Sequence, residues 1–153
     1  MSPKHRQKAL IALNILRAVS AADEFTKRRE YTKALAITDN LLRAVEEHLH
    51  DAPQELHHAV RLLASSHGFA AVRGAAVLVE AGEVEEAVRL ATEAHRKIGK
   101  LAVHEACQLV LEMRDVCAQM DALRRAAGLE PHDVAWQIAL AANKLRPDLA
   151  ADA

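Results

Sequence analysis

Histidine supplies the first candidate chemistry. Of the nine histidines in the chain, His48, His50, His57, His58 and His67 fall in one region, centred on the turn between the second and third predicted helices. Imidazole is a common metal ligand, and Glu55 with His58 has the Glu-x-x-His spacing by which one helix face offers a carboxylate and an imidazole to a di-iron centre. Glu47 with His50 repeats that spacing. The two pairs define one alternative reading, a metal- or cofactor-binding helical bundle using the 48–67 region with Glu47, His50, Glu55 and His58 as ligands. Against it, His50 falls at a helix end, and the apolar stripe through Leu56 and Val60 leaves His57 and His58 at or beyond its edge. The two further inward carboxylates that such a centre needs are not evident, so solvated surface histidines are expected.

Cysteine offers less. His104 and Cys107 have helical i, i+3 spacing, but a closed tetrahedral site needs four ligands and no second pair accompanies them. Cys107 and Cys117 lie in one helix-forming run, where ten residues rise about 15 Å, far beyond the roughly 4.4–6.8 Å between Cα atoms that a disulfide spans. Both fall in an apolar stripe and are expected as buried thiols, in keeping with a reducing cytoplasm. Neither cysteine has a recognisable histidine partner, and no Gly-rich phosphate loop occurs. No catalytic residue or cofactor is assigned, and the chain is read as non-enzymatic.

Charge and aromatic placement say more. Residues 1–45 hold nine basic and four acidic side chains, while 46–93 hold three and nine, so a chain of net charge -1 is polarised along its length. Lys27, Arg28, Arg29 and Lys33 crowd one predicted hairpin tip, which could grip phosphate or an acidic partner, and a regulator contacting nucleic acid through 27–33 is the second alternative reading. Near-neutral charge, one Trp, one Tyr and two Phe argue against nucleic acid as the main partner. In the last predicted helix Val134, Ile138, Ala142 and Leu145 form one apolar face, yet Trp136 and Leu140 lie well round the cylinder. Such a helix is either central in its bundle or uses Trp136 and Leu140 to anchor a second chain, because Trp is enriched among interface hot spots.

The elements that must position these residues are helices. The 153 residues suffice for one ordinary domain. About a fifth of them are Ala, with few Gly, Pro or aromatic residues, which favours helix over strand. The first helix is predicted over 3–28 with Ile11, Ile15, Ala18, Ala22 and Phe25 inward. Lys4, His5, Arg6 and Lys8 before the apolar run Ala9 to Leu13 mimic a secretory signal, but Asn14 and Arg17 interrupt that stretch and suit an amphipathic helix better. The stripe loses phase after Phe25 and restarts at Tyr31, predicting a second helix over 30–49 after a tight turn that no glycine marks. Asp51, Pro53 and Gln54 start a third helix at about 52, with a kink or break expected at Ser66-His67-Gly68 before it resumes to Ala81. Gly82 then precedes a helix over 83–98, a long helix spans about 101–127, and Pro131 opens the last, to Leu145. No run of about 20 apolar residues is seen, so no membrane span is expected.

Ala81-Gly82-Glu83-Val84-Glu85-Glu86-Ala87-Val88, followed by Ala91 and Ala94, resembles the inter-helix turn and second helix of a tetratricopeptide repeat. Arg29-Glu30-Tyr31-Thr32-Lys33-Ala34 is a shorter echo. In that pattern a small residue, here Ala87 or Ala34, lets the paired helices approach closely. These echoes stand 53 positions apart, whereas tandem copies stand about 34 apart. The resemblance implies a peptide- or protein-binding scaffold without chemistry of its own.

The fold class is therefore all-α, six or seven antiparallel helices as a bundle or short α-hairpin solenoid. One domain is expected over 1–146, with 147–153 as a frayed tail. The favoured function is a cytoplasmic interaction module, self-associating as a homodimer or binding a protein partner. Trp136 and Leu140 are its anchors, and Lys27, Arg28, Arg29 and Lys33 its secondary contact.

Overall fold

The computed structural model describes residues 2–48, 53–99, 122 and 126–149, and every regular element among them is helical. The α-helices are Pro3–Lys27 (α1), Tyr31–Val45 (α2), Gln54–Glu80 (α3), Val84–Gly99 (α4) and Pro131–Leu145 (α5), with one 3₁₀ turn at Glu46–His48 after α2. Among the described residues there are five α-helices, against the six or seven expected of the whole chain. The helix predicted over 101–127, with His104, Cys107 and Cys117, lies almost wholly outside the described residues, of which Ala122, Ala126 and Ala127 are helical.

Each boundary has a local cause. Ser2 caps α1, its Oγ accepting the His5 backbone N–H at 3.1 Å, and Pro3 costs nothing in a first turn whose N–H groups have no helical partner. Helix α2 stops at Val45, four residues before the predicted end, and tightens into the 3₁₀ turn. Pro53 is the N-cap of α3, in extended conformation and without a side-chain cap bond, so the helix begins at Gln54, slightly after the expected start at about 52.

Two turns built alike join the helices in pairs. After α3, Gly82 at φ +83° donates its N–H to Val79 O (2.9 Å) and Glu83 donates to Leu78 O (2.8 Å). After α1, Arg29 at φ +64° donates to Thr26 O (3.0 Å) and Glu30 donates to Phe25 O (2.9 Å). Both are Schellman closures, in which a left-handed residue reverses the chain and satisfies the last helical carbonyls. The unmarked turn of the sequence is therefore made by an arginine in a conformation that favours glycine. Ala34 and Ala87, one turn into the second helix of each pair, are fully buried.

Helix α3 is the centre. α1, α2, α4 and α5 all pack against it, and from Leu63 to Ala76 only Ser65 and Arg73 escape full burial. Alanine and glycine at 64, 68, 70, 71, 74, 75 and 76 keep its girth small enough for neighbours on every side. A Cβ added at Gly74 would already touch Leu90 (3.4 Å) and Tyr31 (3.5 Å). The break expected at Ser66-His67-Gly68 does not occur. Ser66 Oγ donates to Asp23 Oδ1 of α1 at 2.7 Å and His67 Nδ1 lies 2.8 Å from Thr38 Oγ1 of α2, so both side chains bond sideways and leave the helical ladder intact. The same segment corrects a further expectation. α3 is long and apolar enough to cross a membrane, but most of its apolar stretch is buried inside this fold. Of the two alternatives for the last helix, a central position is taken instead by the 63–76 stretch of α3.

The end of the chain is tied back to its beginning. Arg146, just past α5, donates to Asp23 Oδ2 (3.2 Å), to Ser65 Oγ (3.2 Å) and to Asp148 Oδ2 (2.8 Å). In the tail set off from 147, Leu149 is buried with Phe69 and Ile138, while 150–153 lie outside the described residues. The paired turns carry a prediction for stability. Arg29→Gly relieves a left-handed arginine and is expected to stabilise the fold by about 1 kcal/mol. Gly82→Ala, where an added Cβ meets nothing within 4 Å and only the backbone is strained, should destabilise by a similar amount, about 1 kcal/mol. Urea unfolding of both variants tests this, and equal signs for the two would refute the shared geometry.

Candidate functional site

Helix α5 lies on α3 with Ala135 and Ile138 buried, and this rotation turns Trp136 and Leu140 outward, 57% and 37% exposed. Four residues apart, they share one side of the helix. Across from them Val77 of α3 is 51% exposed. Between the two helices runs an open groove of about 490 Å³, in which Ala76, Ala135 and Ala139 accompany these three large apolar residues. The small alanines let α5 settle close to α3, and the large residues stand beside them.

Polar groups close the groove. Arg73 of α3 donates through Nε to Tyr31 Oη of α2 (3.2 Å) and through Nη1 to Asn143 Oδ1 of α5 (3.1 Å), so three helices hold one guanidinium. Arg29, from the left-handed turn, lines the same groove. Glu80 and His132, also lining it, pair at 3.2 Å and are both exposed. On the other side of Tyr31 and Val77 a second hollow of about 400 Å³ runs past Leu35, Gly74 and Leu90 of α2, α3 and α4, and Arg29 borders it as well.

The anticipated partner-binding residues divide. Trp136, Leu140 and Arg29 come together in one groove. Lys27 pairs with Glu24 at 3.6 Å, and Lys33 pairs with Glu30 at 3.0 Å while lying 5.6 Å from the centre of the Phe25 ring. Arg28 is exposed at the C-cap of α1. With two of its four cations next to carboxylates, the tip is a weaker phosphate grip than its sequence suggests. Arg73, Tyr31, Val77 and Asn143 were not singled out from sequence. Arg73 did carry a signal, being the only Asp, Glu, Lys or Arg between Arg61 and Glu80.

The histidine region is described only in part. His50 and the side chain of Glu47 lie outside the described residues, and Glu55, His57 and His58 are exposed. Among the described residues no three His, Cys, Asp or Glu side chains come together as a metal site would require. His67 is no surface histidine, being buried to 3% exposure against Thr38. Burial first, and then the Lys97 charge, push its pKa down to about 4, against partial support from Asp39. Asp39 in turn pairs with Lys97 (2.5 Å) and Arg43 (3.3 Å). Burial disfavours the Asp39 carboxylate, but the Lys97 hydrogen bond and the two cationic charges outweigh it and hold the pKa below the ordinary value. Comparison with family models, curated proteins and solved structures finds no match for this chain.

The imidazole fixes the sign of one pH dependence. Between about pH 6.5 and pH 4 the unfolded chain binds a proton at His67 that the folded chain refuses, so acid favours unfolding through that window. Stability from this residue is full above pH 6.5 and falls by about 3 kcal/mol by pH 4. His67→Gln should flatten the pH dependence of the urea midpoint across the same window. An unchanged slope would contradict the buried neutral imidazole.

Proposed function

We propose that this chain is a non-enzymatic protein-interaction module whose binding surface is the groove between α3 and α5. In this reading the fold is an array of antiparallel α-hairpins, six or seven helices with the one predicted over 101–127, akin to the tetratricopeptide type and working in the cytoplasm. The two Schellman turns, each followed by a fully buried alanine at the same position, support that kinship. The observation that carries the function is the grouping of Trp136, Leu140 and Val77, three large apolar side chains exposed around one concavity. Leaving such surface wet forfeits roughly 25 cal/mol for every Å² that a partner would cover.

The occupant is a segment of a partner protein, apolar at its centre and acidic in net charge. Charge complementarity argues for this, because Arg73 and Arg29 line the groove and Arg28 stands on the neighbouring turn. Trp136 and Leu140 are its anchors, since a large ring in a desolvated contact contributes far more than a rim charge.

Trp136→Ala/Leu140→Ala tests the reading. Both side chains stand at the rim of the groove, 57% and 37% exposed, so the double variant should keep wild-type helicity and a single cooperative unfolding transition. A partner identified by mass spectrometry and reconstituted from pure protein should bind the variant at least about 30-fold more weakly, as expected when hot-spot side chains are truncated. Equal affinity would overturn the proposal. So would a concentration-dependent dimer of the wild type that the variant abolishes, because the occupant would then be a second copy.

A further inference from the structure

Arg73 is held in an unusual way for a half-buried cation. Its Nε and Nη1 are engaged by Tyr31 Oη and Asn143 Oδ1, both neutral. Among the described residues no carboxylate lies within ion-pair distance of it, whereas Arg146, the other guanidinium partly inside this fold, has both Asp23 and Asp148. A cation withdrawn from water is costly unless paired. Tyr31 and Asn143 orient the guanidinium without neutralising it, and Nη2 keeps two N–H donors in a fixed plane. A planar donor fork of fixed orientation is the geometry that takes a carboxylate.

Arg29 points the same way on separate grounds. At the equivalent place in the second turn the chain uses Gly82, the residue that suits a left-handed backbone. At the first turn it carries arginine there, with its cost in stability, and this arginine lines the groove beside Arg73. Arg29 and Arg73 also border a small cleft next to Lys27 and Leu149, so positive charge gathers at this end of the groove. The apolar residues of the groove decide the kind of anion. Beside Trp136, Leu140 and Val77, a carboxylate carried on a short hydrocarbon stem can be received while the flanking residues are dehydrated. A phosphate would bring about twice the charge into the same apolar surroundings.

We infer that Arg73, oriented by Tyr31 and Asn143 and assisted by Arg29, is a receptor for the carboxylate of an Asp or Glu side chain that a partner segment carries next to the apolar residue seated against Trp136 and Leu140. This rests on the α3–α5 groove being the interaction surface, and adds that recognition is acid-specific. Arg73 is the specificity residue. Arg29 contributes long-range attraction and a second donor fork.

A random 12-residue peptide library displayed on phage, panned against the full chain and in parallel against Trp136→Ala/Leu140→Ala, tests it. The expected result is enrichment, on wild type only, of peptides with Asp or Glu adjacent to a large apolar residue. An enriched peptide titrated against the emission of Trp136, the single Trp of the chain, should bind at least tenfold more tightly than its Glu→Gln or Asp→Asn form. Arg73→Gln should remove that preference, leaving both forms at the weaker affinity, and Arg73→Lys should restore part of it. Arg29→Gly guards against a folding artefact, because it should stabilise the fold and yet weaken the acidic peptide alone. Enriched peptides that need Trp136 and Leu140 but have no acidic preference, or a preference that survives Arg73→Gln, would overturn the inference and leave the groove standing. Failure to enrich any peptide dependent on Trp136 and Leu140 would overturn both.

Discussion

A stretch of helix with neighbours on every side must satisfy two conditions at once, and α3 from Leu63 to Ala76 is built around them. Its neighbours can approach only where its side chains are small, and each polar group it carries must find a partner in the helix it faces. Alanines and glycines meet the first condition. Ser66 toward α1, His67 toward α2 and Arg73 toward both α2 and α5 meet the second. These bonds reach in different directions from one rod, so they fix the angular position of three surrounding helices about it. Apolar contact alone would leave those positions loosely specified.

The functional groove follows from this packing. α5 approaches α3 across Ala76, Ala135 and Ala139 on this side, and Trp136, Leu140 and Val77 stand at the rim. Arg73, spanning Tyr31 and Asn143, locks the same approach from the polar end. Close packing and the exposed apolar patch are therefore two aspects of one arrangement. A fold with bulkier residues at those three positions would push α5 away and lose the concavity.

Much of this could be read from the chain before its folding was known, and the misses share a cause. Pro131 and the apolar period placed α5 from 131 to 145, Gly82 marked the turn before α4, and helical geometry set Trp136 and Leu140 off the main apolar face while leaving open whether they were buried or exposed. Where the decisive partner lay far along the chain, local pattern misled. Ser66-His67-Gly68 has the composition of a break, and only bonds to residues 43 and 29 positions away show why the helix continues. His67 was grouped with solvated histidines because sequence proximity to His57 and His58 says nothing of the face it occupies. Arg73 went unremarked for the same reason, its partners being 42 and 70 positions distant. The arginine at the first turn is a different case. A left-handed residue was required there, and no residue of the type that usually supplies one was present to announce it.

The clasp at Arg146 has a bearing on how the molecule is made. Asp23 and Arg146 are separated by 123 positions, and a ribosome delivers the carboxylate long before the guanidinium. During that interval the two helical pairs can dock, yet the seam beside Ser65 and Ser66 holds an anion awaiting its counter-charge, a fault that weakens any prematurely closed form. Completion of the last helix repairs the fault. An interrupted translation product would keep it, and would open more readily to the proteases that clear unfinished chains.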